Sequence, residues 1–222
     1  MVYQGLRPET LRYLEALGAN NNREWFEAHR DAYERDWLAA GLDLIAALAP
    51  FAADMGLMAV PRLNQSLRRI HRDTRFSRDK TPYQPWLHLI LSTGPDFSKG
   101  PGMHLVLRPG GIAYGAVLYA PAPDRLEQLR QRLCVAHDRA AFLAALAAAA
   151  QVGSTLDPPE LARVPKGFAA EADWDHLLRR KSFIVRTQAD LAPPGWLFTP
   201  AAPDELARLT RAHLPFLRWL SG

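Results

Sequence analysis

His104-Leu105-Val106-Leu107-Arg108-Pro109-Gly110-Gly111-Ile112-Ala113-Tyr114-Gly115-Ala116-Val117-Leu118-Tyr119 is the stretch on which the fold turns. Two apolar, β-branched runs, His104–Arg108 and Ile112–Tyr119, flank a Pro-Gly-Gly turn. That pattern predicts a β-hairpin. Upstream, Trp86–Ser92 is a short apolar run bounded by Pro85 and Gly94, which predicts a third strand. Downstream, Ser182–Gln188 predicts a late one.

The remainder reads mainly as helix. Pro8–Leu17 opens with proline in its first turn, repeats Leu11, Leu14 and Leu17, and is expected to end at Gly18. Asn20-Asn21-Asn22 can cap a long helix from about Arg23 to Leu48. Trp25, Phe26, Tyr33, Trp37, Ala40, Leu44 and Leu48 form its apolar stripe, and Pro50 is expected to stop it. Pro121–Leu133, Asp138–Ala150 and Pro203–Leu220 are further helices, with Pro215 as a potential kink in the last. Asp173 can cap a short helix through Arg180. Pro61–Asp73 looks extended, and Phe76–Pro85 and Ser154–Lys166 read as loops. Helices, then strands, then helices around a late strand define an α+β class: a mostly antiparallel sheet packed with helices, and a long N-terminal helix.

The 222 residues fit one large domain or two small ones. With 48% hydrophobic and 23% charged residues the composition is ordinary for a globular chain. The single cysteine, Cys134, cannot form an internal disulfide and sits between Leu133 and Val135, which suggests a small core residue. Met1–Thr10 contains no apolar run, and no stretch approaches ~18 uncharged apolar residues. A cytoplasmic protein with no membrane partner is the expectation.

The formal net charge is only +4, but its distribution is uneven. Arg68–Lys80 contains six Lys or Arg against two Asp. The block Arg69-Ile70-His71-Arg72-Asp73-Thr74-Arg75-Phe76-Ser77-Arg78-Asp79-Lys80-Thr81-Pro82-Tyr83 mixes cations, carboxylates, hydroxyls and aromatics. Arginine offers a rigid donor fork for phosphate or carboxylate. A second basic group is Lys166-Gly167-Phe168, followed by Arg179-Arg180-Lys181 at the end of a short helix, where cations suit the helix dipole.

Other chemistries lack a pattern. Histidines 29, 71, 88, 104, 137, 176 and 213 form no His-x-x-x-His or His-Glu-x-x-His pair. No metal site or cofactor is implied. Nucleophile elbow, phosphate-binding loop and dinucleotide fingerprint are all missing.

Three segments resemble a large family of uncharacterised conserved proteins, known chiefly as a domain of unknown function. The first is Asn21-Asn22-Arg23-Glu24-Trp25-Phe26 with Arg30 and Tyr33. The second is the Arg69–Tyr83 block. The third is Arg163-Val164-Pro165-Lys166-Gly167-Phe168 with Leu177-Leu178-Arg179-Arg180-Lys181-Ser182-Phe183. Their order and separation match as well, which implies a single domain over residues 1–222. Relatives tend to carry a glycine-rich stretch with tryptophan after the hairpin turn, where this chain has Tyr114–Tyr119. The resemblance implies no activity.

Three functional classes fit these residues. In the first, Arg69, Arg72, Arg75, Arg78, Lys80, Tyr83 and Lys166 bind a phosphorylated small molecule or a nucleic-acid phosphate. In the second, Asp73 or Asp79 is the acid/base of an enzyme on such a substrate. In the third, the charged block is an internal brace.

Overall fold

The computed structural model describes residues 3–188 and 191–222. Seven helices and a five-stranded sheet alternate along the chain. They are α1 Pro8–Ala19, α2 Arg23–Ala28, α3 Arg30–Asp54, β1 Leu87–Ser92, β2 Gly102–Arg108, β3 Gly111–Leu118, α4 Pro123–Cys134, α5 Ala136–Ala150, β4 Thr155–Leu156, α6 Asp175–Leu178, β5 Phe183–Arg186 and α7 Ala202–Ser221.

The hairpin forms as its sequence dictates. Proline fixes φ at position 109, and Gly110 takes φ +79°, the left-handed value that a Pro-Gly turn needs at its second corner. Arg108 then pairs with Gly111, and the register runs through Leu107–Ile112, Val106–Ala113, Leu105–Tyr114 and His104–Gly115. The sheet order is β1-β2-β3-β5-β4, antiparallel throughout.

Strand alternation separates two faces. Leu87, Leu89, Leu91, Met103, Leu105, Leu107, Ile112, Ala116, Leu118, Phe183 and Val185 are buried in one contiguous core with α1, α3, α5 and α7. His88, Ile90, His104, Val106, Arg108, Ala113, Gly115, Val117, Ile184 and Arg186 lie on the other face, which no helix covers among the described residues. One-sided burial of this kind is normal for antiparallel sheets.

The long N-terminal helix differs from the expected Arg23–Leu48 span at both ends. The chain breaks at His29 (φ −116°), whose ring nitrogen Nδ1 bonds the Trp25 carbonyl at 2.8 Å and whose ring stacks on Trp25 at 4.0 Å. From Arg30 the helix runs to Asp54 straight through Pro50. The missing Pro50 N–H frees the Ala46 carbonyl, and both residues are solvent-exposed, so water takes the bond. Pro215 and Arg211 repeat this arrangement in an unbroken α7. Tyr33–Ala39 is wound as a π-helix. Here α1 supplies outside donors: Thr10 Oγ1 to the Asp36 carbonyl at 2.6 Å and Arg7 to the Arg35 carbonyl at 3.0 Å, which loosens the local ladder. By length and composition Arg30–Asp54 would pass for a membrane span. It packs as the central core helix instead, with Trp37, Leu44, Ile45 and Leu48 buried.

Three smaller expectations change. Gly18 lies inside α1, which ends at Ala19. Asp173 caps nothing, because Trp174 occupies the N-cap position of α6. Cys134 is exposed, since α4 turns Leu129 and Leu133, not its final residue, to the core.

Gly115 is the closest approach in the sheet. A Cβ there would stand 2.2 Å from the Val185 carbonyl oxygen and 2.5 Å from Arg186 Cα. Both obstacles are backbone, so β5 itself must move. Gly115→Ala is expected to lower stability by about 2 kcal/mol or more, read as a fall in urea midpoint at unchanged slope.

Candidate functional site on the open sheet face

The segment that joins α3 to β1 runs beside β1. Arg68 donates its backbone N–H to the His88 carbonyl at 3.0 Å, and Leu67 bridges to Leu89. Leu67 and Ile70 enter the core, which leaves Arg68 on the His88 face and Arg69 exposed. The chain then folds into the charged loop, closed by Arg72 N–H to the Pro82 carbonyl and by a His71–Tyr83 bridge.

Within that loop most charges are already spent on one another. Arg72 binds Asp79 and Thr81 and reaches Ser77 Oγ at 3.4 Å. Arg75 grips Asp73 at 2.7 Å, and Lys80 Nζ donates to the Thr74 carbonyl at 2.9 Å. The Arg75 guanidinium and the backbone N–H of Arg75 hold Asp73 down at about 2. The backbone N–H of Thr81, then Arg72, hold Asp79 at about 2. Carboxylates so stabilised as anions are poor proton acceptors at neutral pH. Arg69 and Arg78 are exposed and make no hydrogen bond or ion pair among the described residues.

Tyr83 is not presented to a ligand for stacking. Its ring is buried and stacked on Phe26 at 4.1 Å, and Asn21 clamps its backbone on both sides, at 2.9 and 3.0 Å. Phe76 is the opposite case: at the loop tip it is 96% exposed. Lys166 is exposed and makes no hydrogen bond or ion pair among the described residues. Its connection is tied to β5 and α6, through Asp157 N–H to Ile184 and Leu161 N–H to Arg179. The charged loop is tied to β1, at the other edge of the sheet. The two basic groups are therefore anchored apart. Arg179 pairs with Asp175 at 3.3 Å as a helix-end cation should. Arg180 instead is buried, bonds the Asp157 carbonyl, and is pushed down to about 10 by burial.

The open face carries a groove of about 350 Å3, walled by Trp86, His88, His104 and Arg108 on one side and by Asp157, Ile184 and Arg186 on the other. Its floor is Ala113 and Gly115 of β3, both small. Register places His104, Gly115 and Arg186 in one row across three strands. Trp86 also borders a second cleft of about 680 Å3 over Arg72, Asp73, Ser77, Asp79 and Thr81, so the two hollows adjoin.

His88 Nε2 and His104 Nδ1 lie 2.9 Å apart. Burial, then each other's proximity and the Arg68 cation, push His88 down to about 3; burial and Arg68 push His104 down to about 4. Both rings are neutral at physiological pH. Arg186 Nε holds both Asp157 oxygens, at 3.0 and 3.1 Å. The Arg68 guanidinium, by contrast, makes no hydrogen bond or ion pair among the described residues. No cluster of three metal-ligating side chains occurs among the described residues.

Sequence reasoning singled out the cationic segment Arg68–Lys80, without giving Arg68 a binding role, and missed His88, His104, Arg108, Asp157 and Arg186. The only advance signal was parity: His104, Val106 and Arg108 alternate with Leu105 and Leu107, as His88 does with Leu87 and Leu89.

Fold and site together define an α+β protein whose antiparallel sheet carries arginines and a histidine pair on the face away from its core. Residues 9–219 match the family model described as "Conserved hypothetical protein (DUF2461)", and the chain belongs to that family. No curated protein and no solved structure matches it.

Two outcomes follow from this geometry. The unfolded chain binds protons at its histidines near pH 6.5 while folded His88 and His104 refuse them, so stability must fall as pH drops below about 6.5, by up to about 1.4 kcal/mol per pH unit for each ring. Urea unfolding between about pH 7 and about pH 5 should give a clearly shallower loss in the His88→Gln/His104→Gln variant; buried His213, also lowered, keeps part of the slope. Separately, Tyr83→Ala should lower stability by about 3 kcal/mol or more, whereas Phe76→Ala stays within about 0.5 kcal/mol.

Proposed function

We propose that this protein is an anion-binding domain whose ligand carries phosphate and lies in the open-face groove, with the cleft over the charged loop adjoining it beyond Trp86. The observation that carries the reading is Arg68. It is a half-buried guanidinium without a carboxylate partner, set against two neutral imidazoles. On the far side of the groove, the two terminal nitrogens of Arg186 make no hydrogen bond among the described residues. A buried or half-buried cation without its counter-charge is costly, and a bound anion supplies what is missing. Arg69, Arg78 and Lys80 line the outer side of the loop and extend the positive field.

The same geometry also favours a brace role for the loop's interior. Arg72 joins Asp79, Thr81 and Ser77 in one network, and this network lines the cleft that adjoins the groove. The two roles are compatible. Asp73 and Asp79 are neutralising partners of arginine on this reading, not acid/base groups.

Calorimetric titration with inorganic pyrophosphate at low salt tests the assignment. Wild-type protein should bind, and Arg68→Gln should bind about ten-fold or more weakly. Arg75→Gln, exposed and already paired with Asp73, should change affinity less than about two-fold. Loss of binding on Arg75→Gln with none on Arg68→Gln would return the site to the loop. Absence of binding in the wild type would end the anion reading.

A further inference from the structure

We infer that the open-face trough takes a nucleotide unit, its base lying over Gly115 and Ala113 between the His104 imidazole and the Arg186 guanidinium, and its phosphate turned toward Arg68. This rests on the anion-binding reading above and names the ligand's second half.

The shape comes first. A groove of about 350 Å3 is in the range of small-molecule sites, about 300–1,000 Å3. Its floor and sides include Val106, Ala113, Gly115, Val117 and Ile184, all without polar side-chain atoms. An inorganic anion alone has no use for such a floor, but the face of a heteroaromatic ring does. Small residues stand at the centre of the row, and larger ones on its flanks: His104 is paired with Gly115, which is paired with Arg186. Two antiparallel pairings separate the flanking backbones by about 10 Å. A base lying flat on this floor meets the His104 imidazole at one edge and the Arg186 N–H groups at the other, both hydrogen-bond partners for base edges. Asp157 holds Arg186 through Nε alone, and its two terminal nitrogens make no hydrogen bond among the described residues.

Edge recognition follows from the histidine pair. One proton must lie between His88 Nε2 and His104 Nδ1 for the 2.9 Å contact. With both rings neutral, two arrangements remain. If His88 donates, its outer nitrogen Nδ1 accepts and the outer nitrogen of His104, Nε2, donates. If His104 donates, the two roles exchange. In either case the pair offers one donor and one acceptor beyond its own bond, and the outer nitrogens have no hydrogen bond to protein among the described residues. Base edges present donors beside acceptors, so a pair that can reverse its sense suits several bases and discriminates little between them.

The phosphate end is separate. Arg68 stands close enough to both imidazoles to depress them, at the β1 side of the trough. The adjoining cleft beyond Trp86 gives a longer ligand room to continue.

The test is calorimetric titration of the full chain with the four nucleoside 5′-monophosphates, ribose 5-phosphate, inorganic pyrophosphate and a short oligothymidylate. The nucleotides should bind about ten-fold or more tightly than ribose 5-phosphate, about 1.4 kcal/mol for the base. Ala113→Leu should remove that preference by filling the floor while leaving pyrophosphate binding intact, which shows the variant to be folded. Arg68→Gln should weaken every ligand. An oligothymidylate that binds more tightly than the monomers, with affinity falling steeply in salt, assigns the unit to a single strand; one that binds no better assigns it to a free nucleotide. Ribose 5-phosphate binding as well as the nucleotides overturns the base site and leaves the anion site standing. A base preference that survives Ala113→Leu overturns it too. No binding by any ligand, pyrophosphate included, overturns both.

Discussion

The backbone of β5 reaches β3 because position 115 has no side chain. The virtual Cβ there meets the Val185 carbonyl and Arg186 Cα well inside van der Waals contact. On that approach depends the pairing of Gly115 with Arg186, and through β5 the attachment of β4 and the Asp157 connection. It joins the central hairpin to the C-terminal third of the chain. It also sets Arg186 across from His104 with a one-strand gap between them, so the constraint that closes the sheet also shapes its open face.

Around that face the charges sort by position. Inside the loop, Asp73 with Arg75 and Asp79 with Arg72 largely cancel. Exposed pairs of this kind add little stability one by one, and their value is geometric. They hold an irregular segment whose backbone cannot be satisfied by a sheet ladder, while Tyr83 and Ile70 pin it from beneath. What escapes cancellation lies at the margins: Arg69 and Arg78 outward, and Arg68 toward the histidines. A cation kept beside neutral imidazoles is electrostatically unfinished, and Arg68 stands beside the histidines that line the groove rather than within the paired charges of the loop.

Much of the fold was legible because its signals are local. The turn Pro109-Gly110, the alternation of Leu105 and Leu107 with His104 and Val106, and the stripe of Trp37, Leu44 and Leu48 each act within a few residues. The α+β arrangement followed from their order. The helix details did not follow, because tertiary partners decide them: Thr10 and Arg7 unwind the turn near Asp36, and solvent at Ala46 lets Pro50 stand inside a helix. The site was less legible. The loop's density of charge is visible in sequence, but its internal pairing is not. His88 and His104 meet through a register fixed across the whole Thr93–Pro101 connection, and Arg186 arrives from the far end of the chain.

The floor residues carry the last step. Glycine and alanine are poor strand formers, and a half-exposed position in mid-sheet ordinarily favours a β-branched or aromatic residue. Gly115 has a structural reason, since β5 occupies the space. Ala113 is opposite Val106 on the open face, and no approach of β5 pairs with it. A larger residue there would fill the trough and bury Val106 more fully. A small one leaves an apolar hollow beside a cation and two neutral imidazoles. Pairing among the described residues does not account for that combination, whereas the flat ligand with an anionic end proposed above would account for the hollow and for the charge together.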